Sequence, residues 1–108
     1  MKINTLFLFL LLLGGQLAYS QKPDTKVNLG IKPDYFFSGT GVHVKDVIAG
    51  KPAQKAGIKG GDVITAFDGT KISDIFHYRN MLNEYSPGDK VKVTVKRNEK
   101  SVSFDVKF

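Results

Sequence analysis

The sequence predicts a single α+β domain that combines an antiparallel sheet with one short and one longer helix. Three observations lead to this fold class. Residues 90–108 alternate between apolar and polar side chains on either side of Asn98-Glu99, which is typical of a β-hairpin. Residues 51–69, KPAQKAGIKGGDVITAFDG, combine a helical turn, a glycine-rich corner and an apolar strand. Residues 74–85, DIFHYRNMLNEY, carry apolar side chains at helical spacing.

The first twenty residues have the pattern of a secretory signal peptide. Lys2 precedes the apolar run Leu6–Leu13, and Ala18 and Ser20 supply small residues before a cleavage site. The run is shorter than the roughly 20 apolar residues that a membrane-spanning helix needs, so no stable membrane span is expected after cleavage. A retained membrane anchor is the alternative. The predicted organisation is a signal peptide over 1–20, a flexible lead-in over 21–27 and a domain over 28–108.

Composition excludes several classes of function. The 108 residues contain no cysteine, which excludes disulfides and thiolate–metal chemistry, and we expect no cofactor. The formal charge is +6, but the lysines are scattered and no arginine cluster or aromatic platform accompanies them, so we expect no nucleic-acid binding. Neither G-x-S-x-G nor H-E-x-x-H occurs, and we do not expect an enzyme.

The short helix is predicted from its two ends. Pro52 suits the first helical turn because its fixed φ and missing N–H cost nothing there. Gly57 offers a left-handed position that ends the turn, and Ile58 is expected to be buried behind it.

A glycine corner and a strand follow. Gly60 and Gly61 can adopt positive φ without steric cost, so they predict a tight turn. Residues Val63–Phe67 then form a largely buried strand, which Asp68-Gly69 closes with a second turn.

The longer helix is predicted over Asp74–Tyr85, with Ser73 as its N-cap. One face of this helix should pack in the core, and it carries Ile75, Tyr78, Leu82 and Tyr85. His77 lies off that face and should be exposed.

The remaining strands are predicted from alternation. Residues 42–48 form one, with Val42 and Val44 inward and His43 outward. Residues 90–97 and 100–108 form a hairpin whose inward side chains are Val91, Val93, Val95, Val102, Phe104, Val106 and Phe108.

The stretch Ala53–Ile64, AQKAGIKGGDVI, followed by the turn Asp68-Gly69, resembles the signature segment of bacterial PDZ domains. Such domains occur in HtrA-like exported serine proteases and in some exported aminopeptidases. The resemblance extends from about Asn28 to Phe108. It implies a PDZ-like domain with a small, strongly bent antiparallel sheet or partly open β-barrel, and it implies that the chain binds peptides by β-augmentation.

The resemblance also implies a peptide-binding site. The amides of Leu29, Gly30 and Ile31 would capture a terminal carboxylate, because a glycine lets successive N–H groups converge on an anion. The longer helix would form the opposite wall, and its candidate lining residues are Ile75, Arg79 and Leu82. Arg79 either attracts an acidic group or lies along Leu82 with its charge in solvent.

Pro33 limits this site. If Ile31 pairs with a bound peptide, residue 33 faces the same edge, and proline has no N–H to donate. Pro33 also protects the edge from unwanted pairing. We therefore expect a shallow site.

Two functions remain open. The first is an exported module, in the periplasm or outside the cell, that binds C-terminal peptides or exposed protein segments and assists proteolysis or protein quality control. An exported protease is then a candidate partner. The second is a structural or regulatory interaction domain whose groove is unused or filled by its own residues.

Overall fold

A computed structural model describes residues 26–108, so the predicted signal peptide lies outside the described residues. The described chain forms six strands and two helices in the order β1 (Ile31–Pro33), β2 (Val42–Val47), α1 (Pro52–Ala56), β3 (Val63–Phe67), β4 (Thr70–Lys71), α2 (Ile75–Leu82), β5 (Lys90–Arg97) and β6 (Lys100–Lys107).

The strands form an antiparallel sheet in the order β1-β2-β3-β5-β6, and the short β4 pairs with the end of β3 on the edge away from β5. Strands β1 and β6 are the two ends of this order within residues 26–108. The sheet is irregular in two places, between Lys32 and Pro33 and between Ile64 and Ala66. Such irregularities bend a sheet. The predicted fold class is confirmed.

The core collects the inward side chains of the sheet, of α1 and of α2. Val42, Val44 and the three inward valines of β5 are buried as predicted. Phe67 at the end of β3 is fully buried and contacts Tyr78 of α2 edge-on, with 5.8 Å between ring centroids. Val27, one residue before the predicted domain boundary, is also part of this core.

The two ends of α1 follow the prediction. Pro52 lies in its first turn, and Gly57 ends it in the left-handed conformation with φ 109°. The N–H of Gly57 donates to the carbonyl oxygens of Ala53 and Gln54, and Ile58 is buried behind the turn.

The paired glycines are needed for two different reasons. Gly61 has φ 97°, as predicted, and the space around its missing side chain is open. Gly60 does not adopt the positive φ that a glycine allows. A β-carbon at Gly60 would instead lie 2.7 Å from the carbonyl oxygen of Lys45, so β2 passes too close to allow a side chain.

The prediction for α2 was wrong at both ends. Asp74 is the N-cap, with Oδ1 accepting from His77 N at 2.9 Å, whereas Ser73 N donates to the His77 ring at 3.2 Å. The helix ends at Leu82, so Tyr85 lies outside it. Tyr85 still packs against Phe67, with 6.0 Å between ring centroids.

Two predicted strands are one residue too long. β2 ends at Val47 because Ile48 already belongs to a turn, in which its carbonyl oxygen accepts from Lys51 N at 3.2 Å. β6 ends at Lys107, and Phe108 N still donates to Asp89 O, just before β5, at 2.9 Å. The hairpin turn at Asn98-Glu99 is confirmed, and both residues have positive φ, at 51° and 65°.

A buried ion pair fixes the corner of the fold. Asp62 is 1% exposed and accepts from Arg97 at 2.8 Å (Nε) and 2.7 Å (Nη2). Arg97 also donates to Gly57 O at 2.9 Å and lies over the Phe104 ring at 5.2 Å. The pair therefore connects the start of β3, the end of β5 and the end of α1.

Candidate functional site

The open edge of β1 defines one wall of the candidate groove. Gly30 O accepts from Ile48 N at 2.8 Å and Asp34 N donates to His43 O at 2.9 Å, so the even-numbered residues of this segment pair with β2. Because backbone groups alternate along a strand, Ile31 and Pro33 direct theirs away from β2. The edge therefore offers the amide of Ile31, while Pro33 offers only a carbonyl.

The loop before β1 is held by α1 and by the turn that follows β2. Leu29 O accepts from Ala53 N at 2.8 Å, and Leu29 is fully buried. Gly30 has φ 85°, and a β-carbon there would collide with the side chain of Lys51. Glycine is therefore required at this position for its backbone conformation and for space.

The described loop contains an internal acceptor at its centre. Asn28 Oδ1 accepts a hydrogen bond from Gly30 N at 2.8 Å. One of the three N–H groups predicted to bind a peptide carboxylate, that of Gly30, thus already donates to a side chain of the loop. A ligand that uses all three would have to displace it.

The predicted opposite wall is α2, where the three candidate residues have different environments. Leu82 is 9% exposed, as is Ile31, and both belong to the core cluster, while Ile75 is half-buried against it. Arg79 is exposed, and no ion pair between it and an acid is observed within residues 26–108. Its Nη2 donates to Tyr35 Oη at 2.9 Å, and the guanidinium lies 5.6 Å from the Tyr35 ring centroid. This contact connects α2 to the segment that follows β1.

A cavity of about 200 Å³ lies beyond the end of β1, beside the N-terminus of α2. Its lining includes the carboxylates of Asp34 and Asp74 and the aromatic residues Tyr35, Phe37 and Phe76. Phe76 is 70% exposed, and Phe36 beside the cavity is 96% exposed.

Sequence reasoning missed two residues of this site. Asn28 stands two residues before Gly30, a spacing at which an asparagine side chain often accepts from the backbone, so a local signal was present. Tyr35 had no such signal, because its partner Arg79 is far away in the sequence and only the fold brings the two together.

The titratable groups of the described residues lie among local partners. The two histidines have local partners: His43 Nδ1 lies 3.3 Å from Asp34 Oδ2 and His77 contacts Ser73. Residues 26–108 contain no group of three side chains suited to hold a metal ion. No helix in that same part of the chain is long and apolar enough to cross a bilayer.

A bent antiparallel sheet with two helices and a glycine loop before its edge strand is the architecture of PDZ domains. A model of the PDZ domain family matches residues 13–108, and the chain belongs to this family. The resemblance found in the sequence is confirmed.

Known relatives are proteases and an aminopeptidase. The chain is 43% identical over 68 residues to the serine protease Do-like HtrA of Lactobacillus helveticus, covering 63% of this chain and 16% of that protein. Among solved structures, the HtrA-type protease AlgW with a decapeptide superposes with a TM-score of 0.69 at 25% identity, covering 76% of this chain and 28% of that one.

A second solved structure is an aminopeptidase N family protein from Idiomarina loihiensis, with a TM-score of 0.69 at 28% identity, covering 77% of this chain and 14% of that one. Further relatives are named as periplasmic serine endoproteases. The chain thus spans only about a sixth of the length of the HtrA relative, and its described residues form a single PDZ domain.

Proposed function

We propose that this PDZ domain binds the C-terminal ends of peptides or of exposed protein segments in the groove between β1 and α2. The observation that carries the proposal is the open edge of β1, which directs the backbone of Ile31 away from β2 next to the glycine loop. A peptide would add a strand at this edge and place its carboxylate at the amides of Leu29, Gly30 and Ile31.

The proposed pocket for the last peptide side chain is apolar. Ile31, Ile75 and Leu82 supply its surface, and all three already contact the core. An apolar terminal residue would displace little ordered polar structure there. The decapeptide bound by the related protease AlgW supports a peptide as the ligand class.

The test compares peptides that differ only at their terminus. We expect a free-acid peptide to bind in titration calorimetry and its amidated counterpart to lose most of that affinity, because the loop amides favour a negative charge. Equal affinity of the two peptides would remove the carboxylate site.

A matched pair of variants controls for stability. Gly30→Ala should abolish binding, because it distorts the loop and collides with Lys51. Gly88→Ala introduces a side chain at a similar φ of 93°, in open space outside the groove, and should leave binding unchanged.

One observation favours the second candidate function, a structural or regulatory interaction domain whose groove is filled by its own residues. Asn28 Oδ1 already accepts from Gly30 N. If this self-contact is permanent, a random library of peptide C-termini will enrich no common sequence, whereas a peptide-binding domain will select one.

We further propose that the chain is exported and acts as an accessory to proteolysis or protein quality control, with no catalysis of its own. The leader pattern of residues 1–20 and the periplasmic relatives support export. The intact mass of the protein from its natural compartment should show the loss of twenty residues. A mass that retains Met1 would favour a membrane anchor.

A further inference from the structure

From the cavity beside the N-terminus of α2, we infer that the groove has a second specificity site, which takes a basic side chain upstream of the peptide's C-terminus. This inference rests on the proposed peptide binding. It assigns to that groove a preference for lysine or arginine about four residues before the terminal one.

The chemistry of the cavity fits a cation. Asp34 and Asp74 line the same 200 Å³ space as Tyr35, Phe37 and Phe76. The Tyr35 ring already carries the Arg79 guanidinium, so Phe37 and Phe76 are the aromatic residues left for a ligand cation. Cations are attracted to aromatic faces and to carboxylates, and a guanidinium can use both at once. The full sequence has sixteen lysine and arginine residues against ten aspartate and glutamate residues. A basic ligand group therefore gains from these two carboxylates in particular.

Both carboxylates keep an unused oxygen or a weak partner. Asp74 Oδ1 accepts from His77 N, and no hydrogen bond to its Oδ2 is observed within residues 26–108. Asp34 Oδ1 accepts from Phe36 N at 3.0 Å, while Oδ2 lies 3.3 Å from the ring of His43. Each residue thus holds its own loop or helix end with one oxygen and can present the other to a ligand.

The position of the cavity sets the position in the peptide. A peptide that pairs antiparallel with β1 has its last residue opposite Ile31. The residue two positions before the last then lies opposite Pro33. β1 ends at Pro33, and the chain then turns, with Phe37 N donating to Asp34 O at 3.3 Å. A peptide that stays extended past Pro33 therefore leaves the ladder there and reaches the cavity about four residues before its last one. Pro33 cannot donate a backbone hydrogen bond to the peptide. The upstream part of the peptide therefore gains binding free energy mainly from side-chain contacts.

The experiment uses peptides with the same three terminal residues and either arginine or citrulline, its neutral analogue of equal shape, at one upstream position at a time. We expect arginine to bind about threefold to tenfold more tightly than citrulline four residues before the last, and less distinctly elsewhere. The ratio should fall towards one at high salt, because exposed charges are screened.

Variants assign the effect to the cavity. Asp34→Asn and Asp74→Ser each remove a charge while keeping a side chain that can accept the local backbone hydrogen bond, and both should reduce the arginine-to-citrulline ratio to about one. Asp105→Asn removes an exposed carboxylate from β6, away from the groove, and should keep the wild-type ratio. Phe76→Ala truncates an exposed ring at no cost to the core and should lower the ratio without affecting folding.

The outcomes separate the two proposals. Equal binding of arginine and citrulline peptides, while amidation still abolishes binding, would overturn the basic site and leave the carboxylate site in place. A ratio unchanged in Asp34→Asn and in Phe76→Ala would also overturn it. Failure of every free-acid peptide to bind would overturn the proposed function itself.

Discussion

Replacement of Arg97 by methionine should cost the domain a large part of its stability. Arg97 donates two hydrogen bonds to a carboxylate, Asp62, whose side chain is 2% exposed, and a third to Gly57 O. Methionine keeps an apolar stem over Phe104 but removes the charge and every donor. Asp62 would then retain only Lys59 N, 2.9 Å from its Oδ2.

The magnitude follows from the burial of the two partners. Removal of one partner from a fully buried pair costs about 3–5 kcal/mol. The Arg97 side chain is 28% exposed, so water can replace part of the guanidinium, and we expect about 2–4 kcal/mol. For a domain of this size each kcal/mol lowers Tm by about 4–8 °C.

Denaturant unfolding of a double-mutant cycle measures this cost. Arg97→Met, Asp62→Asn and the double variant should be non-additive, because the double variant leaves no unpaired charge. Lys96→Met, at the exposed neighbouring position of β5, is the matched control and should change stability by less than about 0.5 kcal/mol. Additive effects, or an Arg97→Met cost as small as that of the control, would refute the assigned role of the pair.

The pair also predicts a pH dependence. Burial opposes ionisation of Asp62, but the hydrogen bonds from Arg97 and from Lys59 N outweigh it, so the pKa of Asp62 lies below its ordinary value. A carboxyl with a lowered folded-state pKa contributes stability above its unfolded pKa of about 3.9, and that stability is lost as pH falls through the folded value. The stability difference between wild type and Arg97→Met should therefore shrink below about pH 4.

Four further substitutions test the corner and the groove. Gly61→Val should cost about 1–3 kcal/mol through its positive φ and Gly60→Ala a similar amount through its contact with β2, so unchanged denaturant midpoints for both would contradict the corner. Pro33→Ala should tighten longer peptides by roughly 0.5–1.5 kcal/mol and leave dipeptides unaffected in calorimetry, and equal gains for both would argue against an edge hydrogen bond. Asn28→Ala frees Gly30 N and should tighten free-acid peptides by up to about tenfold; weaker binding would mean that Asn28 supports the loop.

Local signals accounted for most of the fold. The turns at Gly57, Asp68-Gly69 and Asn98-Glu99 depend on residues that tolerate positive φ, and the inward valines of β5 follow from simple alternation. The start of α2 was misassigned because Ser73 and Asp74 are both good caps, and only the observed hydrogen bond to His77 N decides between them.

Contacts between distant residues could not be predicted in the same way. Asp62 and Arg97 are 35 positions apart, and only the pairing of β3 with β5 brings them together. A partial signal existed, because Arg97 lies at the next inward position of the strand after Val91, Val93 and Val95. This alternation does not show which residue Arg97 contacts. The contact of Arg79 with Tyr35 likewise depends on how α2 is placed beside β1.

The shortness of β1 affects the residence time of a ligand. β1 has three residues and ends in proline, so a docking peptide can form few backbone hydrogen bonds along it. Association rates of such peptides vary little, commonly about 10⁵–10⁷ M⁻¹ s⁻¹, so the loss of hydrogen bonds appears mainly as faster dissociation. An edge of this kind favours brief encounters with many chain ends over long occupancy by one.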